Sequence, residues 1–210
     1  MDMPDLNLDA VDFWEILYKN KPSGSNGRPS RVLERFLIDR TPGNALELGC
    51  AKGDDAVWLA KNGWQVTAVD ISKTALSYAE ANAQSQGLAD RIDFQQHDLS
   101  VSFPDIRCDL VTAMFLQTPL DFPRTEVLKK AAQSLNSEGL LLIVAHGSRA
   151  PWSWAKADKT YFTARESLRE LNLEADDWEE IHVGEEKRFA RGPDNQKATV
   201  TDAIIFLRRM

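Results

Sequence analysis

The chain predicts a doubly wound α/β fold whose seven-stranded, mostly parallel sheet ends in a C-terminal antiparallel hairpin with one reversed strand. Three observations predict it. Short apolar runs at residues 45–48, 65–69, 109–115 and 140–145 suit parallel strands buried on both faces. Between them lie stretches whose apolar residues recur at helical spacing. Beyond residue 146 this alternation stops, and two last segments, about 178–189 and 198–208, flank the turn signal Gly192-Pro193-Asp194-Asn195.

Taken in order, residues 12–19 read as a helix with Phe13, Ile16 and Leu17 on one side, and residues 21–30 as a flexible loop. Ser30 is placed to cap a helix carrying Val32, Leu33, Phe36 and Leu37. Residues 41–44 turn into the first strand, 45–48, which Gly49 ends. A helix with Ala56, Leu59 and Ala60 at core spacing follows, then a second strand closed by Asp70. Ser72 caps a helix to about Gln86, with Gly87 as its stop. Residues 91–95 give the third strand, followed by His97-Asp98-Leu99, and 109–115 the fourth. A helix over about 125–135, ended by Gly139, leads to the fifth strand. Residues 147–160 read as an irregular loop, and Thr163 caps a short helix with Leu168 and Leu171. No repeat or low-complexity stretch interrupts this single domain. We divide it into a helical cap (1–40), a core (41–146) and a third part (147–210) of loop, helix and hairpin.

At 210 residues the chain is long enough to bury a full core. Its formal net charge of −7 disfavours nucleic acid and anionic membrane surfaces as partners. No segment approaches the length of apolar residues that spans a bilayer, and the acidic N-terminus lacks the apolar stretch of a secretory signal. Cys50 and Cys108 are the only cysteines, so neither a disulfide framework nor a zinc cluster is suggested. A reduced, cytoplasmic setting is the expectation.

The chemistry concentrates in residues 45–72. Gly49 and Gly53, with small Ala51 between, let the backbone turn tightly and a ligand approach it. Asp70, at the carboxyl end of the second strand, is placed to accept from ribose hydroxyls. The run therefore describes a nucleoside site. It is not a phosphate loop, since no Gly-Lys-Ser/Thr follows. It is a poor dinucleotide fingerprint, because Asp54 falls where a pyrophosphate would meet the helix N-terminus. A nucleoside without phosphates fits better.

With residues 45–53, 56–60, 63–72, 97–99, 109–115 and 139–144 in order, the sequence resembles the class I S-adenosylmethionine-dependent methyltransferases. The likeness is greatest to small bacterial members related to the thiopurine and tellurite-resistance methyltransferases, and the implied fold is Rossmann-like. One departure is Ala51, where the family usually carries glycine. The resemblance implies S-adenosyl-L-methionine as cofactor and S-adenosyl-L-homocysteine as product. It implies that Glu47, Gly49, Cys50, Ala51 and Gly53 form the turn around the methionine end, with Glu47 near its amino group and Cys50 a small filler. It places Asp70 on the ribose, Ile71 against the adenine, Asp98 on the adenine amino group and Leu99 beside it. Phe115 and Gln117 would face the sulfonium and the acceptor.

Four features carry two readings each. Trp14 and Tyr18 either cover the cofactor, as in the named relatives, or pack an amphipathic helix on the sheet. Arg28 either pairs with the cofactor carboxylate or is solvated. His146, after the fifth strand, either takes a proton from the acceptor as a catalytic base or bonds a neighbouring loop. Arg149, Trp152 and Trp154 either shape an acceptor pocket or pack against the hairpin. The expected activity is methyl transfer to a small-molecule acceptor, without metal. A nicotinamide-dependent oxidoreductase and a non-catalytic nucleoside sensor are the alternatives. Oligomeric state is not legible.

Overall fold

A computed structural model of the chain describes residues 3–25, 27–153, 155, 158–192 and 195–210. Its seven strands are β1 (Asn44–Leu48), β2 (Gln65–Asp70), β3 (Ile92–Gln96), β4 (Cys108–Met114), β5 (Leu135–His146), β6 (Trp178–Arg191) and β7 (Lys197–Arg209). They form one sheet in the order β3-β2-β1-β4-β5-β7-β6. The first five run parallel, and β7 is antiparallel to both β5 and β6, so β7 is the reversed strand. The predicted fold class is therefore found, with the hairpin at the sheet edge.

Helices cover both faces, because every central strand is apolar on both sides. On one face Leu33 and Leu37 of α2 (Arg31–Leu37), Ala56, Leu59 and Ala60 of α3 (Asp54–Lys61) and Leu76 and Ala83 of α4 (Lys73–Ser85) share a buried cluster with Trp64 and Phe206. On the other, Val127, Leu128 and Ala131 of α5 (Arg124–Gln133) and Ala164 and Leu171 of α6 (Ala164–Leu171) pack on Leu46, Val111 and Ile143. No helix among the described residues is long and apolar enough to cross a membrane.

Two expected caps form as read. Ser72 accepts from the Ala75 amide at 3.1 Å, and Thr163 with Glu166 completes a capping box. Three local expectations are corrected. Ser30 stands at the N-cap of α2, but its side chain makes no cap bond; its amide donates instead to Asp55 Oδ1 at 2.6 Å. In α1 (Ala10–Lys19) the buried side chains are Phe13, Leu17 and Tyr18, while Ile16 faces outward. The fifth helix ends at Gln133 and not near Gly139. Leu135 already pairs with Cys108, and the sheet register then jumps to Leu110 beside Leu140. Glu138 at φ 66° absorbs the extra residues of that bulge, so a core leucine at helical spacing belongs to the strand.

The order β3-β2-β1-β4 reverses direction between β1 and β4. At such a switch point the loops at the carboxyl ends of the strands diverge and leave a crevice.

Candidate functional site

Gly49 turns the chain out of β1 at φ 73°, its amide and that of Cys50 bonding the Val69 carbonyl at 2.8 and 2.9 Å. The positive φ favours glycine at this position, and a side chain there would also meet the Leu116 methyl end at 2.9 Å, which would have to move. Ala51 sits at φ 51°, a left-handed conformation that costs an alanine energy, held by its amide donating to Asp70 Oδ2 at 2.9 Å. The other Asp70 oxygen accepts from the Ser72 amide at 3.0 Å. Asp70 thus ties the glycine turn to the start of α4. Burial raises its pKa to about 6 against the pull of those backbone donors.

A cavity of about 290 Å³ opens above these groups. Gly49, Ala51, Asp70, Ile71, Asp98, Leu99 and Phe115 line it, and so do Trp14 and Tyr18 of α1. Seven strand-end residues and the two helical aromatics of the sequence reading therefore converge on one space. α1 is held there by Glu15, which accepts from the Thr74 hydroxyl at 2.6 Å, the Thr74 amide at 3.0 Å and the Ser72 hydroxyl at 3.1 Å. Burial, then the nearby Asp70 and Cys50, push the Tyr18 phenol far up, so it stays neutral. Asp98 accepts from the Ser100 amide and hydroxyl, which fixes the loop after β3.

The remaining predicted residues stand elsewhere. Gly53 does not line the cavity: its left-handed turn lets α3 pack on α4, where a Cβ would lie 2.9 Å from that of Ala79. Cys50 is buried under the turn and is not on the cavity wall, because its side chain points into the core cluster of that face. Burial, then Asp70 and Glu47, hold its thiol well above the ordinary range and so inert. Arg28 is exposed in the loop before α2 and does not line the cavity either. That loop is tied down rather than loose. Lys52 Nζ donates to the Gly24 carbonyl at 3.0 Å and to that of Pro22, and Asp54 accepts from the Gly27 amide at 3.1 Å and from the Ser25 hydroxyl.

Glu47 is buried in β1 behind the turn, and its Oε2 has no hydrogen-bond partner among the described residues. Burial raises its pKa well above the carboxylate range, and Asp55, Asp70 and Asp54 add to the rise. A buried carboxyl oxygen without a hydrogen-bond partner, close to further carboxylates, favours a cationic hydrogen-bond donor. Glu47 itself is not on the wall of the first cavity, but this set of acceptors behind the turn fits a ligand bearing an ammonium group next to a nucleoside.

A second cavity of about 250 Å³ adjoins the first, and Gln117, Thr118, Leu120 and Phe122 line both. His146 stands in this second space. Its ring stacks on Phe115 with centroids 4.6 Å apart, and its amide donates to Gln117 Oε1 at 2.8 Å. Desolvation holds its pKa below the ordinary histidine value, opposed by Asp202 and aided by Arg188 and Lys159. Phe115 itself has φ 57°, uncommon for a bulky residue and typical of a strained site residue. Arg188 lies over its ring at 5.4 Å and bonds buried Asp202. Arg149 bonds the carbonyls of Ser153 and Ala155 within its own loop; Trp152 lines neither cavity and packs against Gly192 at the hairpin; Trp154 lies outside the described residues. Sequence reasoning missed Ala10, Met114, Leu116, Thr118, Leu120, Asp121 and Phe122, which line the first cavity; only the proline-flanked loop after β4 hinted at them.

Residues 45–139 match the family model described as a methyltransferase domain. The ribosomal RNA small subunit methyltransferase C of Alcanivorax borkumensis is 41% identical over 51 residues, 24% of this chain and 16% of that protein. Among solved structures, TehB from Haemophilus influenzae superposes with a TM-score of 0.70 at 19% identity, over 95% of this chain and 67% of that one. The N-methyltransferase NodS from Bradyrhizobium japonicum, in complex with S-adenosyl-L-homocysteine, gives 0.63 at 17% identity, over 97% and 94%. The chain covers less than two thirds of the curated relatives it matches, from 16% to 56% of their length. Residues 45–139 match the methyltransferase-domain family model, and the described chain has the fold of TehB and of the N-methyltransferase NodS.

Proposed function

We propose that this chain transfers a methyl group from S-adenosylmethionine to a small-molecule acceptor. The observation that carries the reading is the pair of adjoining cavities, one walled by the strand-end carboxylates and aromatics, the other by His146, with Gln117, Thr118, Leu120 and Phe122 between them. When bound, the cofactor supplies an electrophilic methyl group on a sulfonium that leaves as a neutral thioether. Asp70 keeps a lone pair on each oxygen for the ribose hydroxyls, and Ile71 and Leu99 offer apolar faces to the adenine, with Asp98 as acceptor for its amino group. Glu47 holds the amino group, and Gly49 and Ala51 bring the backbone close. Trp14, Tyr18 and Phe115 present aromatic faces that favour a positively charged centre and exclude water. His146, neutral at neutral pH, can take a proton from an oxygen or nitrogen acceptor; a thiolate needs no base. Positioning then supplies most of the rate.

The reading treats residues 1–40 as cap, 41–146 as cofactor core and 147–210 as the acceptor side, in a cytoplasmic protein. The modest second cavity and the net charge of −7 favour a small acceptor over a nucleic acid. Transfer of labelled methyl to thiols, selenols, phenols and amines, run beside ribosomal RNA and total protein, tests this. Label on a small molecule is the expected result; label on RNA or protein alone overturns it.

A further inference from the structure

The second cavity is lined by an arginine that forms no ion pair among the described residues. Arg124 opens α5 and lines this cavity. Its Nε donates to the Leu116 carbonyl at 2.8 Å, which fixes the guanidinium against the loop shared by both cavities. Its Nη2 is buried and has no hydrogen-bond partner among the described residues. No carboxylate among the described residues forms an ion pair with it. Burying an unpaired cation is costly unless something binds it, and a guanidinium left with a free arm is a ready carboxylate fork. Lys159 adds a second positive charge to the same wall, and Glu170 one negative charge. His146 stays neutral, so the wall carries one net positive charge. Tyr161 and Phe162 supply aromatic surface beside it.

Building on the methyltransferase reading, we infer that Arg124 selects the acceptor: a small organic monoanion, its carboxylate bound by Arg124 with Lys159 nearby and its nucleophilic atom turned toward Phe115 and His146. A single net charge matches a carboxylate and not a phosphate dianion, which Glu170 would repel. The apolar surface of Leu120, Phe122 and Tyr161 suits an aromatic or aliphatic body. Arg124 is thus a specificity residue, as distinct from one that touches the transferred methyl.

Ligand-observed NMR on protein saturated with S-adenosylhomocysteine tests this with benzoate against benzamide, phenylacetate against phenylacetamide, and phenyl phosphate. The carboxylates should bind about tenfold more tightly than their neutral partners. Arg124→Gln should erase that preference and Arg124→Lys restore part of it, with cofactor-product affinity unchanged in both. Equal binding of charged and neutral probes, or a preference that survives Arg124→Gln, overturns the inference. Phenyl phosphate binding above benzoate overturns the charge matching. Should Arg124→Gln fail to fold, Arg124→Lys and the comparison of probes on the unaltered protein still decide. Failure of S-adenosylhomocysteine to bind sinks the methyltransferase reading instead, and benzoate preference on the unliganded protein still reports on Arg124.

Discussion

Replacing Glu47 by glutamine keeps the shape of a buried side chain and removes its charge. In the free protein this carboxyl is held well above its ordinary pKa of 4.5 by burial and by Asp55, Asp70 and Asp54, which favours its neutral form. A bound ammonium group reverses the balance, because an opposite charge nearby favours the ionised form. The lost bond to a charged group amounts to about 1.5–3 kcal/mol. Affinity for S-adenosylhomocysteine should therefore fall about 10- to 150-fold. Calorimetric titration in buffers of different ionisation enthalpy reads affinity and proton release together. At about pH 8, Asp55 and Asp70, raised to about 6 by burial, are already ionised. The ligand amino group contributes alike to both proteins, so the difference in proton release between the parent and Glu47→Gln reports Glu47, and the parent should release more. Stability should move the other way. The raised folded pKa stabilises the protein below about 4.5 and loses that contribution as pH rises through the folded value, so Glu47→Gln should gain in melting temperature relative to the parent as pH rises. Unchanged affinity in the variant would refute the reasoning.

Three further outcomes are expected. Asp70→Ala removes the ribose acceptor and the partner of the Ala51 and Ser72 amides, so it should weaken binding of the product by about 1.5–3 kcal/mol and also lower stability. Because the folded pKa of Asp70 is raised from 3.8 to about 6, the parent loses stability across that window as pH rises, and the deficit of the variant should shrink there; unchanged affinity would remove the ribose assignment. Ala51→Gly relieves a left-handed alanine, about 1–2 kcal/mol, against a glycine entropy cost of about 0.5–1 kcal/mol, so chemical denaturation should show a net gain of up to about 1.5 kcal/mol, and a clear loss would contradict the strain argument. His146→Ala should retain product affinity and lose kcat with phenol or amine acceptors while sparing thiols; equal kcat with all of them would remove the base role.

The core of the site was legible because its signals are local. A buried run, a glycine turn and a strand-end acid occupy residues 45–70, and parallel pairing brings Gly49, Asp70 and Asp98 to one edge without further information. The placement of Cys50 and Gly53 was not legible, since which side of a tight turn faces a ligand depends on the dihedrals of Ala51 and the packing of Ala79. Leu135 sat at helical spacing yet joined the strand, because a bulge at Glu138 has no pattern of its own. Arg124 was invisible as a binding residue. On sequence it is a helix-start arginine, and only the meeting of α5, the loop after β4 and the segment around Lys159 reveals that its Nη2 has no partner among the described residues.

Titration of the purified protein with S-adenosylhomocysteine and, separately, with NADH tests the central claim most directly. Saturable one-to-one binding of S-adenosylhomocysteine, with none of NADH, is the predicted result. Tight binding of NADH with none of S-adenosylhomocysteine would contradict it.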